Sequence, residues 1–86
     1  MINETEKAFL EAYEKASTTK IKLASDVMLR LYAYYKQATV AYSHHFEHQE
    51  LDLIRSFKFN AWQQVNHLTA EEAKISYIEL VNSLKL

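Results

Sequence analysis

Leu31-Tyr32-Ala33-Tyr34-Tyr35-Lys36-Gln37-Ala38-Thr39-Val40 is the stretch on which the reading of this chain turns. It contains neither glycine nor proline, and neither does the rest of the chain, so nothing breaks a helix through it. With Met28 one turn earlier, Leu31, Tyr32, Tyr35 and Ala38 recur at helical spacing and predict an amphipathic helix. On that helix Tyr32 and Lys36 are four residues apart and share a face. Tyr35 lies beside them, and Met28 and Leu29 lie one turn before. The strip joins an aliphatic floor, two phenols and an ammonium. By periodicity alone it is the core stripe of a small bundle with a lysine at its edge.

The neighbouring segments read as helices too. Asn3 or Thr5 caps a first helix that reaches about Thr18, with Glu4 and Glu6 suited to its positive end. Ala8, Phe9, Ala12, Tyr13 and Ala16 form its apolar stripe. Ser17-Thr18-Thr19 breaks it, because short hydroxyl side chains compete for backbone hydrogen bonds. Ser25 is expected to cap the second helix, with Asp26 in its first turn. Residues 41–54 read as a connection. A third helix holds Phe57, Phe59, Ala61, Trp62 and Val65 and closes at Asn66-His67-Leu68. Thr69-Ala70-Glu71-Glu72 matches a capping box and opens a fourth, carrying Ala73, Tyr77, Leu80, Val81 and Leu84. No segment alternates as a strand does, so the expected fold is all-α, a four-helix bundle in one domain over residues 1–86.

Composition closes off whole classes of function. With no cysteine there is no disulfide framework, Cys-ligated zinc, iron–sulfur cluster or thiol nucleophile. With no glycine there is no Gly-rich phosphate loop and no serine nucleophile elbow. The 10 basic and 11 acidic residues nearly cancel, so no field favours nucleic acid. No apolar run approaches the roughly 18 residues of a membrane span, and the polar, acidic start is not a secretory signal. A soluble cytoplasmic protein is expected. No cofactor motif, activated nucleophile or acid–base pair at workable spacing is present, and no enzyme is expected. His44 and His48 are four apart beside His45, Glu47 and Glu50. Two histidines lack the three or four fixed ligands of a stable site, so no metal is assigned.

Tyr32 to Val40 resembles the signature of the acyl-CoA-binding protein family, whose second helix carries a Tyr-x-x-Tyr-Lys-Gln-Ala-Thr run. Lys58-Phe59-Asn60-Ala61-Trp62 is similar to the family's Lys-Trp-Asp-Ala-Trp stretch. Thr69-Ala70-Glu71-Glu72-Ala73, followed by Tyr77-Ile78, is similar to its Ser-x-Glu-x-Ala start and later Tyr-Ile. Phe9 and Met28-Leu29 also fit, with no gap between Phe9 and Leu84. The resemblance implies an up-down-down-up bundle that holds one long-chain acyl-CoA in a shallow bowl, as a monomeric carrier and buffer serving acyl-CoA-using enzymes. It implies that Tyr32 hydrogen-bonds near the head of the ligand. Lys36 and Lys58 would meet the phosphate on the ribose, and Tyr35 and Tyr77 would pack against the adenine. Met28, Leu29 and Tyr13 would lie along the acyl chain, with Ser25 at its mouth.

The departures are specific. Ser17 stands where the family has a phosphate-binding lysine, and Lys20 or Lys22 is placed to compensate. Leu23 replaces a proline, and Phe59 replaces a tryptophan. Ala41-Tyr42-Ser43-His44-His45-Phe46-Glu47-His48-Gln49-Glu50 replaces a connection with glycine and a Pro-Gly pair. A longer second helix is the expectation there. The alternative is a non-catalytic interaction module that has lost its ligand and swaps helices into a dimer through residues 41–54.

Overall fold

The structure, a computed structural model, describes residues 3–39 and 52–86, with the backbone alone at 52–55. Four helices make up the described chain: α1 Glu4–Thr18, α2 Ser25–Thr39, α3 Asp52–Gln63 and α4 Ala70–Leu84. No strand occurs among the described residues.

Local chemistry sets the ends. Asn3 caps α1, its side chain accepting from the Glu6 backbone N–H at 2.7 Å, with Glu4 and Glu6 in the first turn. The hydroxyl run ends that helix as expected. Thr18 Oγ1 donates to the Glu14 carbonyl, Thr19 takes an extended backbone, and its Oγ1 accepts from the Ile21 N–H. Ser25 is not the cap of α2. The Met28 N–H bonds to the Ala24 carbonyl, which puts Ala24 in the capping position and Ser25 inside the first turn. The capping box of α4 is complete: Thr69 Oγ1 accepts from the Glu72 N–H at 3.0 Å, and Glu72 Oε1 accepts from the Thr69 N–H at 2.9 Å. Helix α3 begins at Asp52, so residues 52–54 of the expected connection are helical. It ends at Gln63, leaving Val65 in the turn that follows.

Side-chain pairs fix the directions. Glu6 meets Lys74 and Phe9 meets Tyr77, so α1 and α4 run the same way. Lys58 lies over Tyr32 and Lys36 over Trp62, so α2 and α3 run the same way. Short connections reverse the chain from α1 to α2 and from α3 to α4. The result is the up-down-down-up bundle, with α2 packed on α3 and α4 and α1 on α4.

The core sits where α1, α2 and α4 meet. Phe9, Ala12, Leu31, Ala38, Ala73, Tyr77 and Val81 are buried there. Small residues at 12, 38 and 73 let the backbones approach, and the two rings fill the space between them. Helix α3 differs. Phe57 and Phe59 are exposed, and Ala61 and Trp62 are half-buried, so the apolar residues expected on this helix do not form a core.

Candidate functional site

Helix α2 organises the site. Its buried residues are Leu31, Ala33, Gln37 and Ala38. Ser25, Met28, Leu29, Tyr32, Tyr35 and Lys36 line the face between them, all exposed or half-buried. The bundle-core reading therefore holds for Leu31 and Ala38, reaches Tyr35, which packs half-buried against the core, and fails for Met28. Met28 is 58% exposed, an apolar side chain left largely in water.

Toward α1 and α4 the strip meets rings. Tyr13 stacks on Tyr35 at 4.9 Å between centroids, and Phe9 stacks on Tyr35 at 5.9 Å. Tyr77 lies tilted against Tyr35 at 6.3 Å and edge-on to Phe9 at 5.1 Å. Burial pushes the Tyr77 phenol up to about 12, and the phenols of Tyr13 and Tyr35 add to this. Burial also raises Tyr35, with Tyr13 adding to it. Both therefore remain neutral hydrogen-bonding groups at physiological pH.

Toward α3 the strip meets amines. The Lys58 ammonium lies 4.8 Å from the centre of the Tyr32 ring, and the Lys36 ammonium 5.0 Å from that of Trp62. The two contacts are reciprocal, each helix giving one lysine and one ring. Beneath them Gln37 ties three pieces of chain together. Its Nε2 donates to the Leu68 carbonyl at 2.6 Å and to the Asn66 carbonyl at 3.3 Å. Its Oε1 accepts from the Trp62 indole N–H at 2.9 Å. Among the described residues, no buried side-chain nitrogen or oxygen lacks a partner.

The structure thus gathers Tyr32, Tyr35, Lys36, Lys58 and Tyr77 around one turn of α2. Tyr13 joins them from α1, and Met28, Leu29 and Ser25 continue the face toward the start of the helix. Tyr77 is only 3% exposed, so it stands behind Tyr35 and has almost no surface of its own to give a ligand. Ser17 is exposed one turn beyond Tyr13, and Lys20 and Lys22 are exposed in the connection. Gln37 and Trp62 were assigned no site role from the sequence. The available signals were a glutamine in an otherwise apolar and basic run and a lone indole that needs an acceptor. His44, His45 and His48 lie outside the described residues, as does the path of residues 40–51. No group of three metal-ligating side chains occurs among the described ones.

The family model described as acyl CoA binding protein matches residues 6–81. This chain belongs to the acyl-CoA-binding protein family. The acyl-CoA-binding protein of Gossypium hirsutum is 36% identical over 76 residues, which cover 88% of this chain and 85% of that protein. The crystal structure of Oryza sativa acyl-CoA-binding protein 2 superposes with a TM-score of 0.78 at 33% identity, over 94% of this chain and 90% of that one. Enoyl-CoA delta isomerase 2 of Homo sapiens is 34% identical over 80 residues, 93% of this chain. The chain spans only 20% of that isomerase's length. No described helix is long and apolar enough to cross a membrane.

Proposed function

We propose that this chain, folding as one domain, captures long-chain acyl-CoA thioesters reversibly and releases them unchanged, as a carrier and buffer in the cytoplasm for the enzymes that use them. Family membership supports this reading, and one observation carries it. One face of α2, from Met28 to Lys36, carries an exposed apolar strip, two phenols and an amine, with Lys58 of α3 over Tyr32, and these are the groups that the tail, base and phosphate of an acyl-CoA require.

The energetics fit the arrangement. A hydrogen bond from an ammonium to phosphate contributes about 1.5–3 kcal/mol. An exposed cation–ring contact contributes about 0.5–1 kcal/mol. A phosphate bond from Lys36 or Lys58 therefore outweighs the ring contact that each makes in the structure. Each tail methylene taken from water adds about 0.8 kcal/mol, less the cost of ordering the chain. The tail makes the larger gross contribution, and the nucleotide sets orientation. Recognition of this kind needs no reacting group.

Titration calorimetry with palmitoyl-CoA, free CoA and palmitate tests the proposal. Palmitoyl-CoA binds tightest, and the thioester is recovered intact. Lys36→Ala weakens palmitoyl-CoA by about 10- to 150-fold and leaves palmitate nearly unchanged. Absence of heat with palmitoyl-CoA in folded protein would overturn the carrier, and equal loss for both ligands would mean that Lys36 does not read phosphate.

A further inference from the structure

The aromatic cluster has an order from inside to outside. Phe9 is 2% exposed, Tyr35 is half-buried, and Tyr13 is 42% exposed. Phe9 and Tyr13 are four apart on α1 and share a face. Both rings lie nearly parallel to Tyr35, at 19° and 24° between planes. Tyr77 is tilted 55° to Tyr35 and enclosed beside Phe9. Tyr35 thus already carries two near-parallel neighbours, while Tyr77 has no ring face left to give. The outermost ring of the stack is Tyr13.

We propose that Tyr13 is the platform on which the adenine of the ligand stacks, with Tyr35 and Tyr77 backing it. This rests on the acyl-CoA reading above and moves Tyr13 from the tail to the base. Two physical arguments favour the move. An alkyl chain gains from any apolar surface, whereas a flat heterocycle gains most from a flat ring. Tyr13 is also held against Tyr35 before any ligand arrives, so stacking on it costs little additional side-chain ordering. Position agrees with both. Tyr13 rests on Tyr35, the residue before Lys36, so the platform adjoins the amine expected to meet the ribose phosphate. In the ligand, the base and that phosphate belong to one nucleoside.

The test pairs palmitoyl-CoA with free CoA, which keeps the nucleotide and lacks the tail. Tyr13→Leu keeps apolar bulk and removes the ring. It should weaken both ligands by a similar factor, about 5- to 150-fold. Tyr13→Phe should bind both within about threefold of the parent. The exposure of Tyr13 favours folding of either variant, checked by circular dichroism, and Tyr13→Met serves the same comparison if Tyr13→Leu does not fold. Loss confined to palmitoyl-CoA would overturn the platform and return Tyr13 to the tail. Unchanged or tighter binding by Tyr13→Leu would overturn it as well. A parent chain that takes no palmitoyl-CoA removes the carrier reading beneath; a parent that binds, with Tyr13 indifferent, removes only the platform.

Discussion

Helices α1 and α3 both pack against the rest of the bundle, and they are held in different ways. Helix α1 buries Phe9 and Ala12 in the core and adds the mostly enclosed Lys74–Glu6 pair across to α4. Helix α3 buries none of its described side chains. Its described side chains meet α2 through Lys58 over Tyr32, Lys36 over Trp62 and the Trp62–Gln37 hydrogen bond. The described side chains of α1 remove apolar surface from water, whereas those of α3 meet α2 through polar and cation–ring contacts that leave amines near solvent. The α1 side thereby combines a buried core with the exposed Tyr13 ring, while the described contacts of α3 keep their amines near solvent. A family of substitutions should divide the same way.

Phe9→Ala is the largest expected effect. Emptying a buried aromatic site costs about 3–5 kcal/mol. A chain of this length has roughly 4–13 kcal/mol in total. Denaturant unfolding should find Phe9→Ala marginal or unfolded, with palmitoyl-CoA binding lost as a consequence. A loss below 1 kcal/mol would mean that α1 is not held by its buried ring, and the contrast with α3 would fail.

Gln37→Leu should have a smaller effect on the fold and a visible one on the site. It leaves the Trp62 indole N–H and the Leu68 and Asn66 carbonyls without their partner, at about 1–3 kcal/mol for each group that water cannot reach. For a domain of this size, each kcal/mol lowers the melting temperature by about 4–8 °C. Trp62 is the single tryptophan, so its emission reports the change directly. We expect a red shift and weaker palmitoyl-CoA binding, since Lys36 rests on that ring. Unchanged emission and affinity would reduce Gln37 to a clamp with no bearing on the site.

The same division marks what was legible in the sequence. The capping box at Thr69, the cap at Asn3 and the stripes of α1 and α4 rest on residues three or four apart, which local patterning resolves. The helical assignment of Leu31 to Thr39 was equally local. Ser25 misled by one position because Ala24, which has no capping side chain, supplies the carbonyl. Gln37 was opaque for another reason: its partners are the Trp62 indole and two carbonyls, 25, 29 and 31 positions away, the carbonyls in a turn whose shape depends on where α3 stops. Tyr13 lay on the apolar stripe of α1, and only packing against α2 reveals that its ring ends outside the core. Lys58 needed the family pattern, since a lysine between two phenylalanines is a solvated side chain by spacing alone.

The smallest expected effect falls on the start of α4, beside the turn that Gln37 grips. Thr69→Ala removes the hydroxyl that accepts from the Glu72 N–H and should cost about 1 kcal/mol. Palmitoyl-CoA affinity should stay within about twofold, because Thr69 touches neither ring stack nor amine in the structure. The box also carries a pH signature. Hydrogen bonds from the Thr69 backbone and side chain hold the Glu72 carboxyl below its ordinary value of 4.5. A carboxyl lowered by folding contributes its full stability above that ordinary value and loses it as pH falls through the folded one. Melting temperatures taken from pH 7 down to pH 3 should therefore fall less steeply below pH 4.5 in Glu72→Gln than in the parent. Parallel acid limbs would mean that the charge on Glu72 adds nothing to the cap. A drop in ligand affinity on Thr69→Ala would show that the turn between α3 and α4 transmits strain to the amines, and the core and the amines would not be separable.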